Sequence, residues 1–313
     1  MKHLAKRLFE LVLFLLLLSF ISFVFMKMAP GDPVRYVLNI DDIAISEEQI
    51  EELRNEFGFN DPIYIQYWRW LQNFFAFDLG YSYMTNQPVL VELAERFPAT
   101  LILTFTSLIV MVLIAGPIGI LAALHKNKWI DHFSRLLALL GASLPSFWLG
   151  LLFIQLFSVK FGIFPSMGKE TFSHLILPSL TLGLGMSAVY VRLLRSSLLE
   201  TLGQDFIRSA KARGLSRKRI LFFHALRHSL TPVITIFGVS LGSLLGGTVI
   251  IEVLFAYPGI GELVVEAIVR RDYPIIQGYI LFMGMFVVII NIIVDLSYRY
   301  LNPEIRFKEA DHS

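Results

Sequence analysis

Apolar residues run through this chain in blocks rather than in alternation. Six stretches carry almost no charge: Leu8–Met26, Pro98–Leu124, Leu136–Val159, Phe172–Val191, Leu230–Ile251 and Ile275–Val294. A helix rising about 1.5 Å per residue needs about 20 apolar residues to cross a hydrocarbon core roughly 30 Å thick. Backbone groups in lipid must be satisfied within the segment, which favours helices. The blocks therefore predict an all-α polytopic membrane protein with six transmembrane helices. Glu10 and His174 sit near the starts of the first and fourth spans, and the other four spans hold no charged residue.

Composition agrees, with 55% hydrophobic and only 17% charged residues and a mean hydropathy of +0.64. A soluble domain is nearer 45–50% apolar and about 25% charged, so a soluble enzyme and a disordered chain are both excluded. The absence of Cys excludes disulfides, thiolate metal sites and Cys nucleophiles. No basic, aromatic-interleaved domain lies outside the spans, so nucleic acid is not an expected partner.

The loop charges set an orientation. Segments 1–7, 125–135, 195–229 and 298–313 together hold seventeen Lys and Arg, against four in 160–171 and 252–274. By the positive-inside rule both termini are cytoplasmic. The first span is too long for a signal-peptide core and ends in Lys27-Met28-Ala29-Pro30 without a cleavage pattern, so it reads as a retained anchor. The plan is then an anchor helix at 1–28, an extracytoplasmic segment at 29–97, a five-helix core at 98–297 and a cytoplasmic tail at 298–313.

Within the outer segment, Ser46 and Gln49 form a capping box, with Ile45 and Ile50 at the staple positions. Ile50, Leu53 and Phe57 keep helical spacing up to Gly58, which predicts a short amphipathic helix over 47–57. The aromatic run Tyr64–Phe77 fits either a partner contact or an interfacial belt.

The loop 195–229 carries the strongest local signals. Phe206, Ala210 and Gly214 recur every fourth residue and share a helix face where small side chains permit close approach. Gly214 suits a helix C′ position with Leu215 as its hydrophobic C″ partner, and Ser216 suits the N-cap of a following helix. Arg208, Lys211, Arg213, Arg217, Lys218 and Arg219 rim the element. Such a loop could simply meet anionic head groups, but the paired caps and small-residue face favour a docking helix.

Arg208-Ser209-Ala210-Lys211-Ala212-Arg213-Gly214 resembles the E-A-A-x-x-x-G motif of binding-protein-dependent ABC importer permeases of the peptide/nickel family. Further stretches are similar to that family's motifs: Ala29–Pro33, Asp78–Ser82, Arg96–Thr100, Pro145–Trp148, Phe255–Gly261, Arg271–Pro274 and Asn302–Arg306. Arg208 and Ser209 depart from the usual Glu and Ala, so a salt bridge from a motif Glu is not implied. The resemblance implies a type I permease fold in a prokaryotic cell membrane. It also implies a second homologous permease forming a heterodimer, two cytoplasmic ATPase subunits and an extracytoplasmic substrate-binding protein. ATP and Mg would reside on the ATPase subunits, with no cofactor on this chain. Asp205, Phe206, Arg208, Ala210, Arg213 and Gly214 are the implied coupling residues, and Glu252, Phe255, Tyr257, Pro258 and Gly259 a pathway or outer gate, with Phe255–Gly261 meeting substrate or binding protein. Short peptides are the implied cargo, ahead of nickel or a nickel-chelate, although Phe164–Gly168 also resembles the nickel branch.

Enzyme motifs are missing. Gly168-Lys169-Glu170 is not a Walker A, and neither G-x-S-x-G nor H-E-x-x-H occurs. His224 and His228 are four apart but lack a third ligand. Gln155 and Asn291 are the deepest polar residues and fit either a pathway or interhelical hydrogen bonds. Gly242, Gly246 and Gly247 read as a packing face or a pore lining. An ion-coupled secondary transporter would need acids at mid-span, and none is present.

Overall fold

The computed structural model describes residues 2–28, 51–52, 54–55 and 60–301. Of the helix expected over 47–57, only Glu51, Glu52, Arg54 and Asn55 are described, and they are helical. Ala29–Pro33 and Asn302–Arg306 lie outside the described residues. Two compact units emerge, Met1–Phe97 with Leu263–Val288, and Pro98–Glu262 with Ile289–Ser313.

In the first unit, α1 (Lys2–Met28) packs against α2 (Ile63–Phe75). Tyr67 and Ser19 share a 2.7 Å hydroxyl hydrogen bond, and Tyr67 stands edge-on to Phe20 and Phe23 at 5.3 and 5.5 Å. Trp70 stacks between Tyr67 and Phe74. Part of the aromatic run is therefore intramolecular packing, while Tyr64, Trp68 and Phe75 stay exposed. Phe97, in the first turns of α3 (Val89–Leu124), meets Phe282 and Phe286 of the long terminal helix Tyr273–Leu301 edge-on at 4.9 and 4.8 Å. Buried Asp272 gathers the turn after Tyr81: the Ser82 hydroxyl donates to it at 2.5 Å, and the Tyr83 and Met84 amides at 3.2 and 3.4 Å. Burial, with Asp272 nearby, pushes the Tyr83 phenol up to about 12.

The second unit is organised around α6 (Ser173–Leu202). A Cβ at Gly183 would lie 2.6 Å from Val110 Cγ1 and 2.8 Å from the Ser107 carbonyl, so glycine lets α6 and α3 approach backbone to side chain. A Cβ at Gly141, on α4 (Trp129–Ser143), would come within 2.9 Å of the Ala188 Cβ. Small residues permit close packing where lipid supplies no hydrophobic drive between helices. Hydroxyl bonds add to it, Thr106 to Ser179 at 2.7 Å and Ser197 to the Ser229 carbonyl at 2.8 Å.

The third expected span, Leu136–Val159, is not one straight helix. It breaks into α4 and α5 (Ser146–Phe153), the latter continuing in wider i→i+5 turns over Ile154–Lys160, with a 102° bend between the halves. The cause is local. A residue before proline is driven out of the helical region, and Leu144 takes φ −84, ψ 130 ahead of Pro145, which starts the next helix. Among the described residues five helices are long and apolar enough to span, or six if the bent pair counts as one. No strand is present among them, and Tyr81 and Pro88 form a single isolated bridge.

Candidate functional site

The basic loop folds as the capping signals require. It follows α6 as α7 (Asp205–Ala212), α8 (Arg217–Arg219), wider turns over Ile220–Ala225 and then α9 (Leu226–Leu254). Gly214 has φ +77, where a side chain would be strained. The Gly214 amide donates to the Lys211 carbonyl at 3.0 Å and the Leu215 amide to the Ala210 carbonyl at 3.3 Å, the two bonds of a Schellman motif. The Ser216 hydroxyl then accepts from the Arg219 amide at 3.4 Å.

Burial divides the coupling candidates. Ala210 and Ile207 are 1% and 0% exposed and pack with Ala123, Leu198, Ile220 and Ala225. Ala210 thus serves close approach within this chain, while Phe206 and Gly214, four residues to either side, stay at the surface. Asp205, Phe206, Arg208, Arg213 and Gly214 remain exposed. Phe206 leans on His228 at 5.5 Å, and Arg208 pairs with Asp205 at 3.1 Å in the open, where an ion pair contributes little.

The turn after α9 is the opposite kind of structure. Glu252, Phe255, Tyr257 and Gly259 are all buried, while Pro258 is half-exposed. The Glu252 carboxylate accepts from the Thr100 hydroxyl at 2.7 Å, the Gly261 amide at 2.7 Å and the Glu262 amide at 3.2 Å. Thr100 in turn accepts from the Ile260 amide at 3.0 Å. These are the first amides of the helix Ile260–Arg270, here α10, which leaves them without intrahelical partners. Glu252 and Thr100 therefore cap α10 from a distance, and a carboxylate also suits the positive end of the helix dipole. A Cβ at Gly259 would overlap the Glu252 carboxylate and the Thr100 hydroxyl. Burial, then the neighbouring Glu252, raises the Tyr257 phenol. Phe255 and Tyr257, expected in an outer gate, are core residues packed with Ala99, Leu103 and Leu177.

Gln155 lies exposed in the wider turns after α5, and Asn291 lies exposed on α11 (Tyr273–Leu301). They are not brought together with the loop or the turn by any hydrogen bond among the described residues. Sequence reasoning missed the ion pair of Asp131 with Arg195. Asp131 is 0% exposed, accepts from Arg195 Nε at 2.5 Å and Nη2 at 2.8 Å, and takes the Asn127 amide at 2.8 Å. Only the local spacing to Arg135, which bonds it at 3.4 Å, was visible in the sequence. Among the described residues no group of three His, Cys, Asp or Glu could hold a metal ion.

Solved structures of ABC transporters share this fold. Two inward-facing forms of the MetNI methionine ABC transporter align with TM-score 0.56 at 18% and 20% identity, covering 67% and 68% of this chain and 96% and 97% of theirs. An amino acid ABC transporter with histidines aligns at TM-score 0.51 and 17% identity, covering 67% and 94%. Residues 115–307 match the family model described as the binding-protein-dependent transport system inner membrane component, and residues 1–104 match the N-terminal model of such membrane components. The glutathione transport system permease protein GsiC of Escherichia coli strain K12 is 40% identical over 308 residues, 98% of this chain and all of that protein. Its counterpart in Shigella flexneri serotype 5b is 39% identical over the same length. The chain belongs to the binding-protein-dependent ABC importer permeases of the peptide/nickel family. It is thus a multi-pass inner-membrane component of a bacterial importer, whose family works with ATPase and substrate-binding partners.

Proposed function

We propose that this chain is the permease subunit of an ATP-driven importer for short peptides, working by alternating access with both termini in the cytoplasm. The observation that carries the cargo is the 40% identity, over all but 2% of the chain, to permeases named for glutathione, a tripeptide. A second homologous permease and two ATPase subunits complete the membrane complex, and a substrate-binding protein delivers cargo on the outer side. The exposed side of α7, with Phe206, Arg208 and Arg213, meets the ATPase. Its buried side transmits that motion into α3, α6 and the turns that lead into α9 through Ala123, Leu198 and Ala225. Cargo shifts the permease between states only by binding them unequally, and ATP supplies the directional bias.

The test is reconstitution of the complex with its binding protein in proteoliposomes. Uptake of labelled glutathione and of di- and tripeptides should require ATP, and loaded binding protein should stimulate hydrolysis. Uptake of nickel-chelate without peptide uptake would overturn the cargo. Transport by this chain alone without ATP would overturn the mechanism. Phe206→Asp should leave complex yield unchanged and uncouple hydrolysis from uptake.

A further inference from the structure

Two cavities open along one side of α6. The first, about 400 Å³, is walled by Ser134, Arg135, Leu139, Val189, Arg192 and Arg195, among others. The second, about 240 Å³, is walled by Ser146, Gly185, Met186, Val189, Tyr190 and Ser240, among others. Val189 belongs to both walls. Leu182, Gly185, Met186, Val189 and Arg192 follow the spacing of a single helix face. At about 1.5 Å per residue this face covers about 15 Å, roughly half a bilayer core.

The cations at one end are not equivalent. Arg195 and Arg135 are both bonded to the buried carboxylate of Asp131. Arg192 lines the same cavity, is exposed, and among the described residues has no hydrogen bond or ion pair. Arg192 thus brings a guanidinium to the cavity wall with no carboxylate of its own to neutralise it. One carboxylate among three arginines leaves the cavity cationic, so the complementary ligand is an anion. Its guanidinium suits a carboxylate, which it can hold in bidentate fashion. The remaining wall is small or apolar and gives little else to bind.

We infer that this face of α6 lines the substrate pathway and that Arg192 receives a carboxylate of the passing peptide. The inference rests on the import of short peptides proposed above, and it adds a preference for anionic cargo. Arg195 is held by Asp131 as part of the frame, whereas Arg192 is available to bind and release in each cycle.

Because the chain contains no Cys, single cysteines report water access cleanly. In the assembled complex, Val189→Cys and Gly185→Cys should react with an anionic methanethiosulfonate reagent. Leu113→Cys, exposed on α3 outside both cavities, should not. An unreactive Val189→Cys overturns the pathway. In uptake assays Arg192→Ala should raise the half-saturating concentration of glutathione about tenfold, the size expected for one charged hydrogen-bonded contact. It should affect the glutathione monoethyl ester, which lacks one carboxylate, less, and Arg192→Lys should recover most of the loss. Equal loss for both peptides overturns the carboxylate role. So does a loss that follows only the anionic lipid content of the vesicles, which would assign the cavity to a head group. If wild-type complex moves no peptide while Val189→Cys still reacts, the cargo reading fails and the pathway stands.

Discussion

The turn after α9 and the basic loop between α6 and α9 both depend on helix caps, yet they are built in opposite ways. In the turn, the caps are buried side chains from outside the helix, Thr100 from 160 residues away and Glu252 from the end of the preceding helix, at 1% and 0% exposure. In the loop the caps are local, Gly214 and Ser216, and the charged side chains point outward. A buried, partnered carboxylate holds one geometry, because moving it leaves several polar groups without water or partners. A locally capped surface helix keeps its shape while its outer side stays available. The turn is thus a fixed part of the frame and the loop a handle on it.

The contrast breaks most sharply at Glu252. Glu252→Ala strands two amides and the Thr100 hydroxyl, and at about 1–3 kcal/mol for each buried unpaired group it should cost at least about 3 kcal/mol. The thermal unfolding midpoint of the solubilised complex should fall accordingly; an unchanged midpoint would show that the turn is not the frame. Gly259→Ala comes next. Its Cβ overlaps the same carboxylate, and overpacking of this kind costs about 1–3 kcal/mol. Pairing it with Glu252→Ala should give less than the sum of the two losses, since the clash then has no partner.

Changes in the loop should be smaller for folding. Gly214→Ala keeps the chain but strains the positive φ, for a loss of about 1 kcal/mol. Ser216→Ala removes a long capping bond of 3.4 Å and should cost about 0.5 kcal/mol, the low end for caps. Both should disturb coupling of ATP hydrolysis to uptake more than they disturb the unfolding midpoint. If either lowers the midpoint as far as Glu252→Ala does, the distinction between frame and handle is wrong.

What the chain reveals of itself follows from the range of each interaction. Gly214 and Ser216 act on neighbours within five residues, so the end of one helix and the start of the next could be read directly. Pro145 also acts locally, on Leu144, yet an uncharged run from Leu136 to Val159 looks like one straight span until the two halves are seen at 102°. Helical spacing puts Ala210 on one face with Phe206 and Gly214, but does not tell that Ala210 packs inside while they stay exposed. Thr100 and Glu252, 152 residues apart, carry no mark in sequence that they will cap the same helix. Asp131 and Arg195 are likewise 64 apart, and i,i+4 spacing points only to the weaker partner, Arg135.

By itself the sequence determined that this protein lives in a membrane, because long uncharged runs have no other low-energy place to go. It also determined the local design of the basic loop, because caps are short-range. Tertiary structure alone decided which face of α7 is buried, where the third span bends, and that a carboxylate from one helix end secures the start of another. Those outcomes depend on helices finding each other at van der Waals distance. Residue spacing along a chain does not encode which helices will meet.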